Sequence, residues 1–219
     1  MKTTIRALAT VLLSLLHYTS FAQTSFYLRI GGNLSKFYTP TTSFAPLLGG
    51  QAGIMADVGI SDHFSIQPSL MWVAKGTSSI LEARDVNGLK TMEHNTSWRL
   101  NYLELPVVTA YKAKIGKSVT FMGGLGGYVA LGISGILRWD GAYDDQKVQF
   151  VTRKNSTSDG YNRYDYGAEA TTGLQFNRLM VLIHYSHGIP ENFVSDTPNV
   201  LKSRNRTLGV SAAYRLGKF

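Results

Sequence analysis

The residues best suited to chemistry lie in the stretch IHYSHGIPEN, residues 183–192. His184, Ser186 and His187 fall within four positions of one another. Glu169 or Glu191 could orient an imidazole, which would complete the parts list of a hydroxyl nucleophile activated by a base. A second set is scattered through otherwise apolar segments: Arg29, Asp57, Gln67, Lys75, Glu104, Glu169, His184 and Arg215. Polar groups so placed must find partners if they are buried. A third candidate is SVTFMGGLGGYVALGI, Ser118–Ile133, with Gly123, Gly124, Gly126 and Gly127. A phosphate-binding loop needs glycines at fixed offsets between a strand and a helix. The Gly124-x-Gly126-x-x-Val129 spacing lacks the third glycine, no helical period follows, and no Lys-Ser/Thr pair follows the glycines, the nearest, Lys117-Ser118, coming before them. A linker would not be flanked by Phe121, Val129, Leu131 and Ile133.

The elements that hold these residues read as strands, because apolar residues recur at every second position. Eight such segments run along the chain. The first, Ser25–Phe37, sets Phe26, Leu28, Ile30 and Leu34 against Tyr27, Arg29, Asn33 and Ser35. The second, Leu47–Ile60, sets Leu48, Ile54 and Val58 against Gln51 and Asp57. The third starts at Phe64 and carries Ile66, Leu70 and Trp72 opposite Ser65, Gln67, Ser69 and Lys75. A polar loop is expected over about Ser78–Thr96. The fourth, Arg99–Lys112, places Leu103, Leu105, Val107 and Tyr111 opposite Tyr102 and Glu104. Pro106 removes a ladder donor there, so a bulge or local irregularity is expected. The glycine-rich stretch is the fifth strand, with Gly124 and Gly126 facing one way and Gly123 and Gly127 the other. A long loop from about Ser134 to Asn162 follows, in which Lys147–Thr152 can extend a strand. The sixth strand, Arg163–Phe176, sets Tyr164, Tyr166 and Leu174 against Asp165, Glu169 and Gln175. The seventh holds the His-Ser-His stretch. The eighth sets Leu208, Val210, Tyr214 and Leu216 against Thr207, Ser211 and Arg215.

Connections after the second, fourth and sixth strands are tight, and the others are long. That alternation belongs to an all-β, eight-stranded antiparallel transmembrane up-and-down β-barrel, with short periplasmic turns and long external loops. A strand of roughly 9–11 residues crosses a bilayer when tilted. Phe26, Phe37, Phe64, Trp98, Tyr111, Phe121, Tyr164, Phe176 and Tyr214 lie near strand ends, as interfacial girdles would. A soluble sandwich or lipocalin-like carrier is the competing architecture, with its apolar faces turned inside.

Composition agrees with export. Lys2 and Arg6 precede the apolar run Ala7–Leu16, and Ser20-Phe21-Ala22 offers a cleavage site, the three parts of a secretory signal. Residues 1–22 therefore read as a cleaved signal peptide and residues 23–219 as one outer-membrane β-barrel domain. The chain has 22 Gly, 12 Tyr and no Cys, so neither a disulfide framework nor a lipidated cysteine is available. Without Lys2 and Arg6 the mature chain holds 20 basic and 14 acidic residues, a net of +6. The excess is modest and scattered. It suits weak attraction to anionic lipid or polysaccharide and offers no basic run for nucleic acid.

By this parity the charges face inward. Arg29, Asp57, Glu104, Glu169, His184 and Arg215 are expected to form an interior polar network that fixes register, since an eight-stranded barrel is filled by its side chains. No catalytic, cofactor or metal role is assigned to them. A narrow polar path for small solutes is an alternative. The His-x-Ser stretch also resembles that of outer-membrane lipid A deacylases, which implies a second alternative, a lipid-modifying hydrolase using His184 and Ser186. However, Ile183, Tyr185 and Ile189 claim the lipid-facing wall here, and His187 stands where that family has Asn.

Taken together, FYLRIGGNLSKF after the signal, NYLELPVVTAYK, GGLGGYVALGI and LGVSAAYRLGKF resemble the PorT-like outer-membrane β-barrel family, porin-family barrels of Bacteroidetes-type bacteria. Tyr102–Pro106 is the most specific of these features. The resemblance implies a non-catalytic monomer of the Gram-negative outer membrane, structural or binding through its external loops. Its implied partners are outer-membrane lipid and lipopolysaccharide, the barrel-assembly machinery, and an extracellular or periplasmic protein. The family's namesake is tied to a secretion and gliding apparatus. Phe219 fits the C-terminal aromatic residue that assembly machinery recognises, though it is off the parity of Tyr214 and Leu216.

Overall fold

The computed structural model describes residues 23–40, 43–84, 90–139, 145–151, 160–194 and 202–218, without the side chains of 80–84 and 90–94. The segment read as a signal peptide and Phe219 lie outside the described residues. Eight long strands make the fold: β1 (Thr24–Tyr38), β2 (Ala45–Gly59), β3 (Phe64–Arg84), β4 (Lys90–Ile115), β5 (Val119–Trp139), β6 (Tyr164–Phe176), β7 (Leu179–Gly188) and β8 (Arg204–Lys218). Each pairs antiparallel with the next. β8 returns to β1, from Lys218 opposite Ser25 to Arg204 opposite Tyr38. The sheet thus closes into an eight-stranded antiparallel up-and-down barrel, and closure removes the unpaired edges an open sheet would present.

Side-chain alternation decides which solvent the outer wall faces. Leu28, Ile54, Leu105, Val129, Ile183 and Val210 project outward, and Leu125 is 72 % exposed. Their strand neighbours turn inward, with Arg29 5 % and Lys75 1 % exposed. A soluble carrier would show the reverse. A continuous apolar outer band around a polar interior is the signature of a barrel in hydrocarbon, with all backbone groups satisfied by the closed ladder.

The two ends differ. At one, β2–β3, β4–β5 and β6–β7 are joined by tight turns. In the first, the Phe64 amide donates to Ser61 Oγ at 3.1 Å. The other two place Gly116 at φ 75° and Asn177 at φ 52°, a region that glycine and asparagine tolerate best. At the other end the connections are long. β3 and β4 run for 21 and 26 residues, well past what a bilayer needs. A second small sheet, Phe193–Val194, Gly160–Asn162 and Phe150–Val151, sits among these connections.

Three expectations need correction, and one is made specific. Ser78–Thr96 is mostly strand rather than loop: Ser78 pairs with Ser97, and pairing continues to Arg84 opposite Lys90. β5 likewise runs on to Trp139, where Ile136 and Leu137 pair with Lys147 and Gln146. Past the membrane apolar residues no longer keep to alternate positions, with Ile80 beside Leu81 and Ile136 beside Leu137, so the period-two signal fades while the backbone ladder continues. At Pro106 the irregularity takes the form of a lapse in the ladder rather than a bulge. Pro106 lies opposite Tyr128 in register, and the β4–β5 shift falls between Asn101 and Tyr102. On its other side the β3–β4 ladder lapses between Pro68–Val107 and Met71–Glu104 without slipping. Finally, Phe37 is buried and Trp98 half-buried, so these two belong to the interior rather than the girdle.

The glycine-rich stretch is explained by crowding. A Cβ on Gly126 would sit 2.0 Å from the Val107 carbonyl oxygen, and one on Gly124 would meet Val108 Cγ1 at 2.6 Å. Inward glycines on β5 let β4 bring Val108 into the narrow bore, a close backbone approach that only glycine permits.

Candidate functional site

The candidate site is the interior of the barrel, built as a stack of layers. Nearest the tight turns is an open vestibule of about 1010 Å³, lined among others by Tyr27, Asp57, Lys112, Gln175 and Arg215. Here Asp57 is bonded by Lys112 Nζ and accepts from Gln67 Nε2 at 3.2 Å. Arg215 is only half-buried, beside Tyr27, so it belongs to this mouth and not to the deep interior expected for it.

Above the vestibule lies an apolar layer of Tyr27, Met55, Ala110, Met122, Met180, Leu182 and Ala213, all buried. Methionine suits this place because its unbranched chain fills irregular gaps. Next comes the charged layer. Arg29 Nε donates to Ser211 Oγ at 2.8 Å, and Arg29 Nη2 contacts His184 Nδ1 at 3.0 Å. Ser186 Oγ donates to Glu169 Oε2 at 3.4 Å. Lys75 Nζ pairs with Glu104 Oε2 at 2.6 Å and Asp165 Oδ2 at 3.1 Å. Asp165 also accepts from Tyr128 OH at 3.2 Å and Asn205 Nδ2 at 3.0 Å. The Lys75 ammonium lies 4.3 Å from the Tyr128 ring centroid, an added cation–π contact.

These groups belong to one field, since Glu169 is within electrostatic reach of Glu104, Arg29 and Lys75. A cavity of about 10 Å³ lies between Arg29 and Glu169, room for one water at most. Toward the long loops the bore ends in an aromatic layer. Phe37, Leu100, Tyr102 and Tyr128 pack there, with Phe44, Trp98, Phe150 and Tyr161 against them.

The six network residues are thus all inward, but in two groups. Arg29, Glu104, Glu169 and His184 share the charged layer, while Asp57 and Arg215 line the vestibule beneath the apolar one. Asp165 and Lys112, which complete the ion pairs, were not among the expected network residues. Asp165 was open to discovery, because it shares the inward parity of Glu169 four residues on. The His-Ser-His stretch does not assemble a nucleophile and base. His184 takes Arg29 as its partner, Ser186 takes Glu169, and His187 turns outward to Arg206, whose Nη1 lies 2.6 Å from His187 Nδ1. Among the described residues, no group of three His, Asp or Glu is placed to hold a metal.

The basic excess also proves less scattered than the chain order suggests. Closure of β1 onto β8 brings Lys36 opposite Arg206 on the outer wall.

Known proteins can now be set beside this geometry. The chain is similar in structure to Ail of Yersinia pestis, at 13 % identity over 89 % of this chain and 99 % of that one, TM-score 0.41. It is similar to Neisserial surface protein A at 12 % identity over 87 % and 97 %, TM-score 0.46. OprG from Pseudomonas aeruginosa aligns at 9 % identity over 90 % and 97 %, TM-score 0.40. No curated protein sequence matches. A family model described as "Outer membrane protein beta-barrel domain" matches residues 20–194, most of the barrel. On that match, and with a closed, apolar-walled barrel to go with it, the chain belongs to the outer membrane protein β-barrel domain family.

Proposed function

We propose that this protein is a non-catalytic, monomeric barrel that binds through its extracellular half and does not conduct. One observation carries the reading: the bore is filled by apolar, charged and aromatic layers whose charged groups pair across it, while the β3–β4 ladder continues well beyond the bilayer. The pairing of His184 with Arg29 and of Ser186 with Glu169 supports the non-catalytic reading over the hydrolase. The apolar layer around Met55, Met122 and Met180 weighs against the narrow porin. Within the family, Tyr102–Pro106 supports a PorT-like place. The pattern of residues 1–22 supports a signal peptide removed on export, so sequencing of the mature protein should begin at Gln23.

The test is a strain in which residues 82–96 are replaced by a tight turn. Barrel assembly, read as a heat-modifiable band in electrophoresis, should persist, while the phenotype of a full deletion should reappear. A shortened strain that behaves as wild type overturns the reading. Purified barrel in planar bilayers should be silent. Steady conductance that changes in Glu104→Gln would restore the porin.

A further inference from the structure

One group of residues is absorbed neither by the interior network nor by the loops. On the outer wall, near the long-loop end, Lys36 and Tyr38 of β1, Arg204 and Arg206 of β8, and Tyr185 and His187 of β7 project together. The register places Lys36 opposite Arg206, Tyr38 opposite Arg204, and His187 opposite Arg206 on its other side. Arg206 is the centre. Its Nη1 donates to Tyr185 OH at 3.0 Å, and its guanidinium lies 4.5 Å from the Tyr38 ring centroid. Its Nε is buried and has no hydrogen-bond partner. Lys36 and Arg204 are exposed on either side of it. Among the described residues, none of the three cations is in an ion pair, although Arg138, Lys202, Lys112 and Lys75 all are.

Two positions down the same strands, about 7 Å by strand rise, the wall turns apolar. Leu34 lies opposite Leu208 there, with Ile183 opposite Val210 below. The cations therefore stand at a level where hydrocarbon gives way to headgroup, clamped by tyrosines of the kind that favour that boundary. A fixed, unpaired guanidinium between two more cations is a receptor for a multivalent anion. Arginine in particular matches phosphate oxygens with paired donors.

We propose that this wall binds the phosphate of a phosphorylated glycolipid of the outer leaflet, with the acyl chains lying on Leu34, Leu208 and Ile183. Arg206, held by Tyr185 and Tyr38, supplies the directed contact, and Lys36 and Arg204 supply the surrounding charge. The site rests on the reading that the long loops face outward. It is independent of what those loops bind, because the 82–96 replacement leaves this wall intact.

The test uses the full mature chain refolded in detergent micelles and titrated with diphosphoryl lipid A, with the same lipid dephosphorylated, and with inorganic phosphate. Wild type should bind the phosphorylated lipid at least about tenfold more tightly than the dephosphorylated one, as expected when charge-assisted contacts are lost. That preference should shrink with salt. The variant Lys36→Gln/Arg204→Gln/Arg206→Gln should lose the preference while retaining its heat-modifiable band. Should the triple variant not fold, Arg204→Gln, whose side chain is exposed and makes no hydrogen bond among the described residues, should weaken the preference by a smaller factor. Equal affinity for the two lipids, or an unchanged preference in a folded variant, overturns the proposal. Competition by millimolar inorganic phosphate would mark a small-anion site and overturns the lipid assignment.

Discussion

Arg29 and Lys36 lie on the same strand, seven residues apart, and meet opposite surroundings. Arg29 points into the bore and is held by Ser211 and His184, with Glu169 nearby. Lys36 points outward at the rim and has no protein partner among the described residues. Parity alone separates them. Inside, water and lipid are both excluded, and an unpartnered charge would cost several kcal/mol, so the barrel brings in partners from distant strands. Outside, at the boundary of the bilayer, the medium itself can supply the counter-charge, and the described residues of the chain provide none. The contrast teaches that charge in this fold is informative by its lack of company. Buried ions report architecture, and lone ions at the rim report what the protein meets.

The largest test of that contrast removes an interior cation. Lys75→Met leaves Glu104 and Asp165 facing each other in the closed bore, and should cost about 3–5 kcal/mol or prevent refolding. The measurement is the urea midpoint of refolding into lipid vesicles. Neutralising the whole group, Lys75→Met/Glu104→Gln/Asp165→Asn, should recover much of the loss, because the penalty arises from stranded charge rather than lost packing. A single variant as stable as wild type would break the comparison.

Adding a charge where none belongs comes next. Leu125 sits near the middle of the outer face of β5 and is 72 % exposed to the surrounding hydrocarbon. Leu125→Arg should destabilise by about 2–4 kcal/mol in bilayers, as lipid-facing cations do at the midplane. The same substitution read in micelles, where the headgroup layer is closer, should cost less. Equal stability in both media would mean that this face is not in the membrane core.

How much of this was legible beforehand follows from the same parity. The interior positions of Arg29, Glu104, Glu169 and His184 can be read because each falls on the face opposite an alternating apolar wall. The strand ends cannot. Beyond the bilayer, Ser78, Ser79 and Ser97 alternate polar with polar, so nothing in composition marks the ladder that joins them. The irregularity at Pro106 is legible from its missing donor, but its form, a lapse without a slip, is not. Loss of a donor need not shift register when the neighbouring ladder, closed into a ring, holds the strand in place. The rim cluster was illegible for a topological reason: Lys36 and Arg206 are 170 positions apart, and only closure of β1 onto β8 makes them neighbours. Asp165 was legible and was missed, since its pairing with Lys75 depends on reach across the bore rather than on strand adjacency.

A partly wet pair should fall between the extremes. Lys112 is 22 % and Asp57 6 % exposed where they meet at the vestibule. Lys112→Met leaves Asp57 with Gln67 and with access to water from the open mouth, so the loss should be about 1.5–3 kcal/mol, as for one hydrogen bond to a charged group, and toward the lower end because the pair is partly wet. A loss as large as that of Lys75→Met would show that the vestibule is sealed in the membrane and would blur the line between mouth and bore.

The smallest effect belongs to the exposed pair at the loop end, and it carries the sign of the argument. Arg138 donates to both carboxylate oxygens of Asp145, at 2.8 and 2.7 Å, on the part of β5 that extends past the bilayer. That hydrogen bonding and charge hold the Asp145 carboxyl below its ordinary value. A depressed folded value means that the pair contributes above the unfolded carboxyl range and loses its contribution as pH falls through the folded one. Water screens both partners, so even the full contribution is slight. Wild type should hold a small lead over Asp145→Asn in urea midpoint at neutral pH, and the two should coincide once acid has protonated Asp145. The lead should also vanish in high salt, whereas the deficit of Lys75→Met should persist there, because salt cannot enter the bore. A lead that grows in acid would reverse the sign and place Asp145 against a partner other than Arg138.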